Sequence, residues 1–126
     1  MAKRVFISFA IEDRNLRDLL VGQKLNTSTP IDFTDYSVKQ PWDSSWKTNC
    51  RARIKSTAGV IGIITGNTPK ADGQLWELKC ANDESKPVLL IYGSTTSRPA
   101  TIPAEIKGRQ IYTWTWDRIA TFVNGL

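Results

Sequence analysis

The chain has 126 residues, a formal charge of +5 and 40% hydrophobic residues, which fits one domain spanning residues 1–126 with a real core and argues against disorder. Histidine is absent, which excludes a Ser-His-Asp triad, a Cys-His pair, a His-ligated metal and a His general base. Cys50 and Cys80 form no CxxC, so zinc-binding and thioredoxin-type motifs are excluded; no metal site is expected, and two free thiols in a reducing compartment are.

The chain opens with a β-rich run at 4–9, whose apolar stretch is too short for a signal-peptide core. No segment reaches the roughly 18 apolar residues of a membrane span, so a soluble, cytoplasmic protein with no membrane partner is expected. Asp13 offers an N-cap, and Leu16, Leu19 and Leu20 follow at helical spacing. That helix fades near 23–25, and Asn26 to Pro30 is loop composition. Residues 31–34 make a short edge strand, and 35–41 a loop. Ser44 or Ser45 caps a second helix with Trp46, Cys50, Ile54 and Thr57 along one stripe.

The run 59–65 has almost no polar alternation, as expected of a strand buried on both faces of a parallel sheet. Asp72 starts a third helix with Leu75, Leu78 and Ala81 inward, and Lys86-Pro87 breaks it. Residues 88–92 form a second doubly buried strand. A long loop over 93–108 contains one short turn. Residues 110–113 add a last strand, and Thr115 or Asp117 opens a final helix with Trp116, Ile119, Ala120 and Val123 on one face.

The order β-α-β-α-β-α-β-loop-β-α predicts an α/β fold with a parallel sheet covered on both faces. For five strands, the three-layer flavodoxin-like order 2-1-3-4-5 is the leading arrangement. Ligands of such folds sit beyond the carboxyl ends of the strands, where strands 1 and 3 diverge. The loops there carry no Gly-x-Gly-x-x-Gly and no Walker A motif. Strand 3 ends Ile64-Thr65-Gly66 without the Asp of a phosphoacceptor, and 10–13 makes a poor flavin-phosphate loop.

Glu77 has two readings. Placed off the face of Leu75 and Leu78, it is a solvated acid favoured by the helix dipole. Placed at the ligand rim, it is a catalytic carboxylate without a histidine partner. Cleavage of the nicotinamide bond of NAD suits the second reading. Nicotinamide leaves neutral without needing an acid, and a carboxylate stabilises the oxocarbenium ion left on the ribose. Trp42 and Trp46 flank the loop after strand 2 and can stack on a ring or pack in the core, with Trp46 on the apolar stripe. Trp76 is expected against a neighbouring loop, and Trp114 and Trp116 at the core or rim. Lys47, Arg51, Arg53 and Lys55 form a basic stripe, read as a solvated face or as a contact for a polyanion. No aromatics are interleaved with those cations, so nucleic acid is poorly supported as a partner.

The segments Arg4-Val5-Phe6-Ile7-Ser8-Phe9, Asp35-Tyr36-Ser37-Val38-Lys39, Val60-Ile61-Gly62-Ile63-Ile64-Thr65-Gly66, Leu75-Trp76-Glu77-Leu78 and Lys86-Pro87-Val88 resemble the bacterial TIR-like domains, in the subgroup of the Thoeris antiphage ThsB-like proteins. The resemblance spans nearly the whole chain and implies a flavodoxin-like fold. It further implies cleavage of NAD to ADP-ribose or a cyclic isomer that signals to a downstream effector in phage defence. NAD enters as substrate, and no permanently bound cofactor is implied. By the same resemblance Glu77 is the catalytic residue, and Phe9, Ala10 and Trp46 contact the nucleotide. Self-association on activation is implied too. A TIR-like interaction module without catalysis, and a sensor that binds a nucleotide without cleaving it, stay open as alternatives.

Overall fold

The computed structural model describes residues 3–25, 27, 29–36, 39–94 and 96–126. Asn26 and Ser28 of the first loop, and Ser37 and Val38 of the 35–39 segment, lie outside the described residues, as do Met1, Ala2 and Thr95. Five parallel strands form one sheet: β1 (Lys3–Ser8), β2 (Ile31–Thr34), β3 (Gly59–Ile64), β4 (Val88–Tyr92) and β5 (Ile111–Tyr112). Their order is β2-β1-β3-β4-β5, the flavodoxin-like arrangement. Four helices complete it: α1 (Arg14–Lys24), α2 (Ser44–Lys55), α3 (Asp72–Asp83) and α4 (Trp116–Asn124).

Strand periodicity divides the core. Val5, Ile7 and Phe9 pack with Leu20 of α1 and with Ile119 and Val123 of α4. On the other face Phe6 and Val60 meet Trp46, Cys50 and Ile54 of α2 and Cys80 and Ala81 of α3. Ile64 and Leu90 meet Leu78. Successive side chains of a strand point to opposite faces, so Ser8 follows Phe6 onto the α3 side. All six residues of β3 are buried, as its unbroken apolar run requires. Gly62 lets α3 settle onto the sheet: a Cβ there would stand 2.8 Å from Leu90 Cδ2 and 3.1 Å from Leu78 Cδ2.

Several local expectations change in the folded chain. β1 begins one residue earlier than the run at 4–9 and ends at Ser8, and β5 is only two residues long. Asp43, not Ser44 or Ser45, caps α2, accepting from the Ser45 and Trp46 amides at 2.7 and 3.1 Å. Asp13 makes no capping bond to α1. Its carboxylate instead accepts from the Thr65 hydroxyl and, at 2.9 Å, from the Asn67 amide group, tying the end of β1 to the end of β3. α3 ends at Asp83, ahead of Lys86-Pro87, and Ser85 follows with φ of 54°. Cys50 and Cys80 share one cluster on one face of the sheet, and both are free thiols as expected.

Candidate functional site

The buried stripe of α3 runs through Gln74, Glu77, Leu78 and Ala81, at i, i+3, i+4 and i+7. Leu75 is only half-buried. Glu77 therefore faces the sheet and is 0% exposed, which overturns the expectation of a solvated acid off the buried face. Two polar residues on the inward stripe hid the true face from a count of leucines.

Two partners hold the Glu77 carboxylate through three hydrogen bonds. The Ser8 hydroxyl donates to Oε1 at 2.9 Å. The Lys39 ammonium donates to Oε1 at 2.9 Å and to Oε2 at 2.8 Å. Gln74, next along the stripe, donates through Nε2 to the Ser8 carbonyl at 3.1 Å and the Ile63 carbonyl at 2.7 Å. That fixes α3 over the divergence of β1 and β3. Gln74 Oε1 is buried and has no hydrogen-bond partner among the described residues. Burial pushes the Glu77 carboxyl up to about 7, against the opposing pull of Lys39 and then of the Ser8 hydroxyl.

Lys39 connects this buried pair to the surface. Its side chain is 4% exposed, and its ammonium also lies 4.1 Å from the centre of the Phe9 ring. The aliphatic stem packs on Gly73 of α3. A Cβ at that position would come within 2.7 Å of Lys39 Cβ and 2.8 Å of Cδ. A cavity of about 270 Å³ opens directly outside, walled by Ile11, Lys39, Trp42, Lys70, Gly73 and Gln74 among others. Trp42 is 78% exposed there. Glu77 is not on the cavity wall; Lys39 stands between the two.

The residues expected to contact a nucleotide are all interior. Phe9 and Ala10 are fully buried. Trp46 packs edge-on against Trp76, with ring centres 5.3 Å apart, and against Tyr36 at 6.0 Å. Its indole Nε1 is buried without a hydrogen-bond partner among the described residues. Phe9 thus shares the Lys39 ammonium with Glu77, while Trp46 offers no free ring face. Trp76 meets Trp46 and shares a cavity wall with Pro41 and Trp42 of the preceding loop. Trp114 and Trp116 donate to the Gln23 and Thr29 side chains.

The basic stripe on α2 is largely consumed by internal contacts. Arg51 pairs with Glu84 and lies over the Trp76 ring. Arg53 sits 4.0 Å over the Tyr36 ring and donates to the Asp35 carbonyl. Lys55 approaches Glu84 at 4.0 Å. Burial raises both thiols, Cys50 well above the usual thiol range, so neither is a ready nucleophile.

Reasoning from residue types did not single out Ser8, Lys39, Gly73 or Gln74. The parity of Phe6 and Ser8 on β1 was the one local signal for Ser8. Lys39 carried none, because a loop lysine reaches a particular carboxylate only through tertiary structure. Among the described residues, no group of three or more Cys, Asp or Glu side chains is arranged to hold a metal ion, and no helix is long and apolar enough to cross a membrane. No protein-family model matches the chain, and no curated protein matches it.

Proposed function

We propose that this chain is a TIR-like enzyme of antiphage defence that cleaves the nicotinamide–ribose bond of NAD, with Glu77 as the catalytic carboxylate. The observation that carries this reading is one carboxylate, buried at the carboxyl end of the β1–β3 divergence and held against β1 by Ser8. In the reaction the C1′–N bond breaks and its electron pair leaves with nicotinamide, which becomes neutral. The positive charge passes to the ribose, where an ionised Glu77 stabilises it and orients the ribose hydroxyls. Water adds at C1′ and gives up a proton to yield ADP-ribose, or a nucleophile of the same nucleotide closes a cyclic product. The cavity beside Glu77 supports the reading. Lys70 lines it and offers a cation to a pyrophosphate, beside Glu12 and Asp72, and Trp42 offers an exposed ring for stacking. Phe9 and Ala10 are buried, with the Phe9 ring against the Lys39 ammonium, and Trp46 packs against Tyr36 and Trp76. NAD is a substrate in this scheme, and no permanently held cofactor takes part. The protein acts in the cytoplasm, self-associates on activation and passes its product to an effector.

The test is chromatography of NAD after incubation with concentrated protein, alone and with phage-infected lysate. Loss of NAD with release of nicotinamide, abolished by Glu77→Gln, supports the assignment. A second reading, a non-catalytic interaction or nucleotide-sensing module, is favoured by the completeness of the Glu77–Lys39–Ser8 contacts, which leave the carboxylate wholly buried. Absence of turnover in every assembly state selects it.

A further inference from the structure

The Lys39 ammonium occupies a particular place. It lies 2.8–2.9 Å from both Glu77 carboxylate oxygens and 4.1 Å from the centre of the Phe9 ring. A cation between a carboxylate and an aromatic face is what the proposed reaction would place there, as nicotinamide cation or oxocarbenium ion. We infer that Lys39 is a built-in competitor for that position, an internal cation that plugs the site at rest and must be drawn away before Glu77 can act. This rests on the NAD reading and adds to it a mode of regulation.

Three features make the plug removable. Lys39 lines the outer cavity as well as covering Glu77, so its ammonium can turn outward without crossing the core. Lys70, Glu12 and Asp72 line the same cavity, so an outward-turned ammonium meets carboxylates there as well as a second cation. A pyrophosphate there supplies the counter-charge that Lys39 gives up on leaving Glu77. The seat is also tight on one side. The Lys39 stem fits only because residue 73 has no Cβ, so an alanine there displaces the stem while keeping the lysine and its charge. Withdrawal uncovers Glu77 and the Phe9 ring together.

The experiment compares the full chain with Lys39→Ala and Gly73→Ala, which open the site by different routes. Access is read without NAD, by carbodiimide-driven coupling of glycine ethyl ester to carboxyl groups, with Glu77 located by peptide mass spectrometry. Turnover is read in parallel by chromatography of NAD. Both variants, with cooperative unfolding verified, are expected to label Glu77 and to cleave NAD about tenfold faster or more than the parent chain, the gain from a competent fraction raised by that factor. ADP-ribose is expected to raise the labelling of the parent chain. Glu77 left unlabelled in both folded variants overturns the plug. So does a parent chain that cleaves NAD as fast as both variants. If labelling rises while no protein cleaves NAD, the plug stands as a gate on Glu77 and the NAD reading falls.

Discussion

Replacing Glu77 by Gln tests the central geometry through stability alone. On a solvated helix turn the carboxylate would contribute about 0.3–1 kcal/mol through the helix dipole. Here it is wholly buried and lies 2.8 Å from an ammonium whose side chain is 4% exposed. Removing one partner of a buried pair strands the other charge and costs about 3–5 kcal/mol. The lower end is expected, since Lys39 borders the outer cavity and can turn its ammonium to water. At about 4 °C per kcal/mol for a chain of this length, the loss in Tm is roughly 12 °C. Lys39→Met costs less, because a carboxyl left alone escapes by binding a proton. The double variant Lys39→Met with Glu77→Gln leaves no buried charge and is expected within about 1 kcal/mol of the parent. The assay is urea unfolding of all four proteins above pH 7, where Glu77 is ionised. It yields a coupling energy of about 2–3 kcal/mol. Additive single effects, or a Glu77→Gln protein within about 0.5 kcal/mol of the parent, would falsify the buried pair, since changes that small are typical of surface positions.

Gly62→Ala places a Cβ 2.8 Å from Leu90 Cδ2 in the core, and denaturant unfolding should show a loss of about 1–3 kcal/mol from overpacking. Thiol labelling under non-reducing conditions should give two adducts on the unfolded chain and almost none on the native one, because Cys50 and Cys80 are free and buried; a single adduct or none after unfolding would show an oxidised pair. Asp13→Ala should cost about 1–3 kcal/mol by leaving the buried Thr65 and partly buried Asn67 donors without their acceptor, and a change within experimental error would show that water takes its place.

The alternation of strand and helix was legible in the sequence because each element declares its own period. The apolar runs at 59–64 and 88–92, and the stripe of Trp46, Cys50 and Ile54, need no knowledge of the rest of the chain. Parallel order followed from crossover chemistry, and that order located the rim where Glu77 lies. Glu77 itself was legible as a position and illegible as an environment. Leucine counting turned α3 the wrong way, because an inward Gln and Glu look polar until their partners are known. Those partners are distant in the chain: Ser8 is 69 residues away and Lys39 is 38. Asp13 shows the same limit, reading as a helix cap yet spent on Thr65, 52 residues on. Hydrophobic periodicity is a local property and survives in the bare sequence. The pairing of a buried charge is set by desolvation, and only the assembled sheet and helices decide which carboxylate loses its water and which ammonium compensates it.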